Sequence, residues 1–482
     1  MKTGADKDIS SLNFEEAIAE LEEIIDKLEG RESSLTLEEA VELYKRGILL
    51  SQHCKEKLEK AQQEINILIK NKKIDKIFFE NKNLDFSKFD HVIDGKNKLI
   101  MSGLFNLHSH VPMTLLRGYG EGLNLQDWLY KKIFPFEATM TARDTYYGAL
   151  LGISELLSSG TVSFSDMYLR LQGIVDAVDQ SGIKANLTNT ATGMDPHLIY
   201  TDDSSYIEEK YVLDYIKSHP GTTVRTDAGI HAEYTSTPQL AEQVIDFAKQ
   251  NNLSIQIHVS ETAKEQKECQ ARHQGKTPIE YFYSLGAFEQ KCILAHGVYA
   301  TDNDLNIVKE NNAVLVHNPA SNLKLGSGFA NIKKWLDNGN HVCLGTDGAA
   351  SNNDLDMFQE MRLAALLSNG LNRDANSITP IDMLKISTIN GAMAQNQTES
   401  GCIKEGNYAD LILIDLDTPN MQPIYDLPTN LVYSINQKNI YLTMVNGKIL
   451  YQDNEFKTID IEKVKAEVKK IQKEKLNILE KD

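Results

Sequence analysis

The chain has 482 residues, of which 41% are hydrophobic, and a formal net charge of −18 at pH 7. This length and apolar content predict two or three folded units, and the acidic charge disfavours a general affinity for nucleic-acid backbones. Because no apolar run approaches the roughly twenty residues of a membrane-spanning helix and the five cysteines are scattered without a CxxC pair, we expect a cytoplasmic protein that does not contact a membrane.

Residues 1–72 are predicted to form a helical hairpin. They begin without the apolar segment of a secretion signal, and apolar residues then recur every three or four positions, as in amphipathic helices. Thr36 and Glu39 in "TLEE" are predicted to form a capping box at the start of the second helix. The predicted apolar stripes are Phe14, Ile18, Leu21, Ile25 and Leu28, then Leu37, Val41, Tyr44, Ile48, Ser51, Lys55 and Leu58. Two such helices cannot bury both stripes alone, so we expect a partner or self-association.

The stretch "FEEAIAELEEIIDKLEGRESSLTLEEAVELYKRGILLSQHCKEKLEKAQQEINIL" resembles the small subunit of exonuclease VII, and "LEEAVELYKRG" is its most specific part. That family is a non-catalytic helical partner of a large nuclease subunit. The resemblance implies that residues 8–70 are an interaction module for the exonuclease VII large subunit. A generic hairpin for self-association is the alternative. Because the segment is acidic, we expect no direct contact with nucleic acid.

Beyond residue 73, short β-like runs alternate with amphipathic stretches such as "TPQLAEQVIDFAKQNN" and "TDNDLNIVKENN". Eight strand and helix pairs over roughly 280 residues are typical of a (β/α)₈ barrel, an α/β fold. The predicted strands are Leu99–Leu107, Gly160–Tyr168, Ile183–Thr192, Val224–Ile230, Leu253–Ile257, Cys292–Ala295, Ala313–Val316 and His341–Thr346.

The β-like runs on either side of the barrel predict a small accessory β-sandwich. Its predicted segments are residues 73–103 and 396–455, which flank a barrel over residues 104–395. The last part of the chain, residues 456–482, is a polar amphipathic stretch and is predicted to be a helix.

Histidines stand where most of the predicted strands end. His108 and His110 follow the first strand, and the others are His231, His258, His296 and His317 after strands four to seven, with Asp347 after the eighth. The catalytic residues of such barrels lie at these ends, and side chains at i and i+2 of a strand point to the same side. Three imidazoles and a carboxylate suit a divalent ion such as Zn²⁺, which lowers the pKa of a bound water to about 7. No lysine ends the fourth strand to bridge a second ion, so we expect one metal.

Five motifs in order resemble the amidohydrolase superfamily: "GLFNLHSH", "HVSET", "LAHGVYATDNDL", "VHNPASNLKLGSG" and "LGTDGAASNNDLDMFQEM". The resemblance covers roughly residues 74–452, and it is strongest to the mononuclear 5-methylthioadenosine/S-adenosylhomocysteine deaminase group. It implies one Zn²⁺, with Fe²⁺ or Mn²⁺ as alternatives. The implied metal ligands are His108, His110, His258 and Asp347.

The same resemblance implies roles for four more side chains. Glu261 matches the acid/base glutamate, His296 a catalytic histidine, His231 a substrate histidine, and Glu137 the residue that binds the ribose hydroxyls. The chemistry agrees with these roles, because deamination needs a proton donor for the ring, as Glu261 could be, and a route for a proton to the leaving ammonia, as Asp347 could be. A carboxylate such as Glu137 can accept two vicinal hydroxyls. A surface glutamate and a structural histidine are the alternatives for Glu137 and His231, and His317 is left unassigned.

Two departures from the family pattern bear on substrate and stability. The stretch "GMDPHLIYTDDSSYIEEK" lacks the arginines that meet the distal end of the substrate in that family. This favours 5-methylthioadenosine, adenosine or 5-deoxyadenosine-like substrates over a homocysteine carboxylate. The accessory sandwich also has little chain before His108 and is expected to lack its first strands.

Other functions remain open from the sequence. The same metal site could serve a guanine- or cytosine-type deaminase or a chlorohydrolase. The chain could instead be a component of an exonuclease VII complex in which the barrel is a passenger. A complete set of metal ligands argues against a passenger barrel.

Overall fold

The computed structural model describes residues 9, 12, 14–29, 36–60, 66–78 and 85–480. It divides into two units, Met1–Ile67 with Ile77–Asp94, and Leu68–Lys76 with Gly95–Asp482. Each is described by itself.

The first unit contains two helices, α1 (Phe14–Glu29) and α2 (Leu37–Lys60). The predicted capping box is confirmed, since the Thr36 amide donates to the Glu39 carboxylate and the Glu39 amide donates to Thr36 Oγ1. Buried Ala17, Ile24 and Leu50 form the seam between the helices. Gly47 lies in this seam, and a Cβ there would lie 3.5 Å from Ile24 Cγ2, so small residues allow close packing.

The described residues of the predicted stripe on α2 are exposed, in line with the expectation that two helices alone cannot bury both stripes. Val41, Tyr44 and Ile48 are 42%, 63% and 49% exposed, whereas Leu50 is fully buried. The reason is that α1 packs against the face that carries Gly47, where the helices can approach closely, and not against the face with the larger side chains. The side chains of Phe14, Ile18, Leu37, Lys55 and Leu58 lie outside the described residues.

A hairpin of two strands, β1 (Asn66–Lys70) and β2 (Lys73–Phe78), follows. Residues 66–70 were predicted to belong to the helical segment, but they form a strand. The Ile74 amide donates to the Asn407 carbonyl and the Gly406 amide donates to the Ile74 carbonyl, which ties β2 to the chain just before the accessory sheet.

The accessory sheet is antiparallel and has five strands in the order β17-β16-β15-β14-β3. Its strands are β3 (Lys98–Ser102), β14 (Leu411–Asp415), β15 (Ile440–Val445), β16 (Lys448–Gln452) and β17 (Glu455–Phe456). It is built from the two segments that the sequence predicted, one on each side of the barrel.

The barrel is parallel, as predicted. Its strands are β4 (Leu104–His110), β5 (Thr161–Met167), β6 (Lys184–Thr188), β7 (Val224–Thr226), β8 (Ala228–Ile230), β9 (Ile255–Val259), β10 (Cys292–His296), β11 (Val314–His317), β12 (His341–Leu344) and β13 (Asp347–Gly348). They form two sheets, β13-β4-β5-β6-β7 and β12-β11-β10-β9-β8. Only Asp227 separates β7 from β8, and two residues separate β12 from β13. β7 and β8 together are the predicted fourth strand, and β12 with its continuation β13 is the predicted eighth. Each of these strands runs from one sheet into the other, and so they close the barrel.

The first predicted strand, Leu99–Leu107, is in fact two strands that meet at Gly103. Its amide donates to the Asp410 carbonyl on the accessory side, and the next amide, of Leu104, donates to the Gly160 carbonyl of the barrel. A Cβ at Gly103 would lie 2.1 Å from Val162 Cγ1, so this close approach requires glycine. The β strand that carries the HxH motif therefore begins at Leu104 and includes both histidines.

The second unit also contains α-helices, most of which follow a barrel strand. They are α3 (Leu125–Trp128), α4 (Phe134–Glu137), α5 (Ala142–Ser158), α6 (Leu171–Ser181), α7 (Ser204–Ser218), α8 (Pro238–Asn251), α9 (Ala263–Arg272), α10 (Pro278–Ser284), α11 (Asp302–Glu310), α12 (Pro319–Lys324), α13 (Ile332–Asp337), α14 (Met357–Asn372), α15 (Pro380–Ser387), α16 (Ile389–Ala394), α17 (Leu427–Tyr433) and α18 (Ile461–Leu479). The predicted helices α8 and α11 begin at threonine N-caps. The predicted C-terminal helix is α18, whose Lys475 forms a buried ion pair with Asp144. Among the described helices, none combines the length and apolarity needed to cross a membrane.

Candidate active site

The predicted metal ligands come together because parallel strands align their C-terminal ends. β4 ends in His108, Ser109 and His110, and the pairing of β13 with β4 sets Asp347 opposite Ser109. His258 lies near the end of β9. All four predicted ligands are buried.

Their ligand atoms lie at short distances from one another. His110 Nε2 is 3.1 Å from Asp347 Oδ1 and 3.3 Å from His258 Nε2, and His108 Nε2 is 3.5 Å from Asp347 Oδ1. One ligand atom from each of His108, His110 and His258 lies within 4.8 Å of the others. His108, Asp347 and the neighbouring His296 meet the same limit. The sequence therefore identified a set of side chains that the fold gathers at one place.

The donor set fits a divalent metal ion. His108 Nε2 is buried, and among the described residues it has no hydrogen-bond partner, which is unusual for a buried polar atom. Burial lowers the pKa of His108 to about 4, so its imidazole is in the neutral form that binds metals. Burial also lowers the pKa of His110, but the hydrogen bond and charge of Asp347 outweigh it and raise that pKa to about 9. The negative charge of Asp347 thus favours a positive charge at this position, which a proton or a metal ion could supply.

A second layer of contacts orients the ligands. His258 Nδ1 lies 2.6 Å from the His231 carbonyl, and His110 Nδ1 is beside the Met167 carbonyl. A ring that donates from Nδ1 presents the lone pair of Nε2. Two hydroxyls, those of Ser321 and Ser351, donate to Asp347 Oδ2 over 2.5 and 2.9 Å. This arrangement leaves Oδ1 of Asp347 facing the histidines.

Glu261 and His296 face each other beside the ligands. Ser327 Oγ donates to Glu261 Oε1 over 3.0 Å, and Glu261 Oε2 is 3.8 Å from His296 Nε2. Burial raises the pKa of Glu261, and the charge of Asp347 adds to this effect, whereas His296 and Ser327 oppose it. The Nδ1 atom of His296 lies 2.8 Å from Asn322 Oδ1. A buried carboxyl with a raised pKa is suited to general acid catalysis.

Three residues of this region adopt a left-handed backbone that non-glycine residues rarely take. The φ angles are +57° at Arg170, +76° at His296 and +59° at Asp347. Backbone strain of this kind clusters at functional sites, where surrounding contacts maintain it.

One cavity of about 280 Å³ is lined by His110, His258, Glu261, His296 and Asp347. Its apolar wall includes Trp128, Leu129 and Phe134, which come from the helical segment after β4. Glu137 lies in the same lining, and burial raises the pKa of this carboxyl to about 7, although the Tyr168 hydroxyl lowers it. The cavity thus combines an apolar wall with many polar and charged groups, an arrangement that suits a small polar molecule with an apolar part.

His231 also lines the cavity, and its Nδ1 atom is 2.8 Å from Thr235 Oγ1. Burial, together with the charges of nearby histidines, lowers the pKa of His231 to about 3. His317 is fully buried, packs edge-on against Phe329 and Trp335, and is not part of the cavity lining.

Sequence reasoning missed several residues of the site. Arg170 is the one arginine or lysine among the described residues that line the cavity, and its guanidinium lies 3.4 Å from Glu208 Oε1. It follows the second strand, whereas the sequence analysis considered arginines only between the third and fourth. Tyr168 ends the predicted second strand and has no distinctive local pattern. Ser321, Asn322 and Ser327 lie within the motif "VHNPASNLKLGSG", which was the one signal available for them.

Comparison with known proteins agrees with this geometry. The amidohydrolase family profile matches residues 99–450, and the exonuclease VII small subunit profile matches residues 14–67. A 5-methylthioadenosine/S-adenosylhomocysteine deaminase of Caldanaerobacter subterraneus subsp. tengcongensis is 40% identical over 389 residues, which is 80% of this chain and 88% of the relative. The protein of the same name from Dictyoglomus thermophilum is 41% identical over 387 residues, 80% of this chain and 89% of the relative.

A solved structure is also similar. An adenosine deaminase from Xanthomonas campestris with bound zinc superposes with a TM-score of 0.80 at 27% identity, over 86% of this chain and 94% of that one. Residues 14–67 are similar to the exonuclease VII small subunit, and on the match over residues 99–450 and the relatives at about 40% identity, the chain belongs to the amidohydrolase family.

Proposed function

We propose that this protein is a metal-dependent hydrolytic deaminase that releases ammonia from an adenosine-type nucleoside, 5-methylthioadenosine or S-adenosylhomocysteine, in the cytoplasm. The observation that carries the proposal is the position of Glu261, which faces His296 over 3.8 Å at the same cavity as the gathered metal ligands. The names of the relatives at about 40% identity support the same reaction.

Each step of the reaction has a residue of this chain suited to it. A zinc ion held by His108, His110, His258 and Asp347 would supply an activated water at neutral pH. As that water adds to the ring carbon that bears the amino group, Glu261 protonates the adjacent ring nitrogen, a role for which the burial that raises its pKa suits it. His296 orients the attacking water. Asp347 accepts one proton of that water and passes it to the amine, which leaves as ammonia, and the other proton of the water restores the Glu261 carboxyl.

Two cavity residues suit a nucleoside. Ionised Glu137 can accept both hydroxyls of a ribose, since a carboxylate has two acceptor oxygens. His231, neutral because of its lowered pKa, can donate or accept one further hydrogen bond. The apolar wall with Trp128 and Phe134 suits the flat base and the sugar carbons.

Arg170 supports keeping S-adenosylhomocysteine among the substrates. The sequence analysis disfavoured this compound because it found no cation for the homocysteine carboxylate. Arg170 supplies one, and Glu208 beside it could accept from the ammonium of the same amino acid. 5-Methylthioadenosine needs neither group. Turnover of S-adenosylhomocysteine should therefore depend on Arg170 and Glu208 more than turnover of 5-methylthioadenosine does.

Ammonia release by the purified, zinc-loaded protein tests the function. The substrate set comprises 5-methylthioadenosine, S-adenosylhomocysteine, adenosine, guanine and cytosine, with chloride release from a chlorotriazine as the comparison. We expect the adenosine derivatives to give the highest kcat/KM. A higher value for guanine, cytosine or the chlorotriazine would contradict the proposal and support one of the alternative amidohydrolase activities.

We propose further that residues 8–70 act as an interaction module, separate from the barrel. The exposed apolar side chains of Val41, Tyr44 and Ile48 on α2 support this role, as does the match to the exonuclease VII small subunit. The partner would be an exonuclease VII large subunit or a second copy of the hairpin. We also propose that the domains of the chain meet at residues 72, 103, 395 and 455.

A further inference from the structure

The loop that presents Glu261 has an unusual backbone. Ser260, directly after β9, has a φ of +51°, in the left-handed region that costs energy for a residue with a Cβ. This turn ends the strand and is followed at once by Glu261, whose side chain enters the cavity. Contacts with neighbouring groups must therefore stabilise this backbone conformation.

Glu265 lies beneath that turn and is only 2% exposed. Its carboxylate accepts three consecutive backbone N–H groups, from Ser260 over 2.9 Å, Glu261 over 2.6 Å and Thr262 over 3.4 Å. Successive amides in such a turn form a concave anion site. Here a side chain of the same chain fills that site.

The contacts exceed what a helix cap alone requires. Glu265 is also the third residue of α9 and forms a capping box with Thr262. Glu280 holds the equivalent position in α10, where its carboxylate accepts from the Thr277 amide over 2.9 Å and not from a preceding left-handed turn. Glu280 is not part of the cavity lining. The two glutamates therefore share the capping role, and only Glu265 contacts the loop that carries Glu261.

We propose that Glu265 is a positioning residue that fixes the backbone of Ser260 and Glu261 and thereby directs the Glu261 carboxyl into the cavity. The consequences for activity rest on the proposed function, whereas the consequence for geometry does not. Glu265 itself touches neither substrate nor metal ligand. Its effect on catalysis must pass through Glu261.

The kinetic test compares Glu265→Gln with the matched control Glu280→Gln in the full-length, zinc-loaded protein. Misplacement of a catalytic group by about 1 Å can cost roughly 10²-fold. We expect kcat to fall by about that factor in E265Q with KM nearly unchanged, and both to stay near wild type in E280Q. Because Glu265 acts through Glu261, adding E265Q to Glu261→Gln should cause almost no further loss. Equal rates in E265Q and E280Q, or a full additional loss in the double variant, would overturn the proposal.

A crystal structure of E265Q tests the same claim without any activity. We expect the φ of Ser260 to leave the left-handed region and the Glu261 carboxyl to lose its contact with Ser327 Oγ. An unchanged loop would overturn the proposal. Absence of ammonia release by the wild-type protein would count against the proposed function, and the crystal structure would still decide the role of Glu265. If E265Q does not fold, Glu265→Asp, which keeps both oxygens but shortens the reach, takes its place in both tests with the same expected directions.

Discussion

Glu261 Oε2 lies 3.8 Å from His296 Nε2, and both side chains are buried at the ends of the neighbouring strands β9 and β10. The carboxyl is held by Ser327 and the imidazole by Asn322, so each has a defined orientation. A buried carboxyl and an imidazole thus meet beside the predicted metal ligands. The proposed proton transfer requires this pair, whereas metal binding alone does not.

Replacing Glu261 with glutamine removes the transferable proton and keeps the shape and hydrogen bonding of the side chain. General acid–base groups contribute about 10²- to 10⁴-fold, so we expect kcat for 5-methylthioadenosine to fall by at least about 10²-fold. Zinc content and substrate affinity should change little, because Glu261 is not needed as a ligand. Near wild-type turnover in E261Q, or loss of the metal, would contradict the assigned role.

Zinc binding should depend on the four gathered ligands. We expect about one zinc ion per chain in the wild-type protein, measured by elemental analysis, and almost none in His108→Ala or His258→Ala. His219→Ala is the control, since His219 is exposed, stacks on Tyr215 and is not part of the cavity lining. Unchanged zinc content in both ligand variants would show that the ligand assignment is wrong.

Glu137 should determine the recognition of the ribose. Hydrogen bonds to a charged group contribute about 1.5–3 kcal/mol, so we expect Glu137→Gln to raise KM roughly ten- to a hundredfold, with a smaller effect on kcat. The preference for a ribosyl over a 2′-deoxyribosyl substrate should shrink in the same variant. A preference as strong as in the wild type would assign the hydroxyls to another residue.

The same carboxyl predicts a pH dependence. Burial raises the pKa of Glu137 to about 7, so its ionised, accepting form increases as the pH rises through that value. KM for a nucleoside should therefore fall between about pH 6 and 8, and this change should be absent in E137Q. A KM for the wild type that rises over this range would contradict the sign of the effect.

The N-terminal hairpin should be needed for association and not for turnover. A chain that begins at Asn66 keeps β1 and β2 and should retain kcat within about twofold, since the cavity lining begins at His110. In the full chain, Tyr44→Lys and Ile48→Lys should weaken self-association or binding of an exonuclease VII large subunit, measured by light scattering and co-purification. Glu42→Lys, at an exposed position on a different face of α2, is the control. An inactive but zinc-loaded truncated chain would show that the hairpin shapes the site.

The grouping of the predicted metal ligands could be inferred from the sequence because their signal is local. Each stands at the end of an apolar run, and the parallel strands of a barrel bring these ends together regardless of the length and conformation of the loops. Arg170 and Glu265 were not predictable in the same way. Arg170 follows a strand without any motif, and the importance of Glu265 depends on a left-handed turn at Ser260 that only the three-dimensional structure reveals.

Packing decided where the predicted elements ended and which faces they buried. The run over residues 99–107 looks continuous in sequence, but Gly103 lets the chain pass from the accessory sheet to the barrel against Val162. On α2, the larger stripe with Tyr44 is exposed because Gly47 allows a closer approach on another face. Periodicity identifies apolar positions and does not specify which of them a neighbouring element will cover.

The most direct test of the central claim is the source of the oxygen in the product. The zinc-loaded protein is incubated with 5-methylthioadenosine in water enriched in oxygen-18, and the product is examined by mass spectrometry alongside an assay for ammonia. The account predicts one ammonia released per product molecule and one solvent oxygen at the ring carbon that had carried the amino group. Failure to release ammonia, or a product without the solvent label, would contradict hydrolytic deamination as the function of this site.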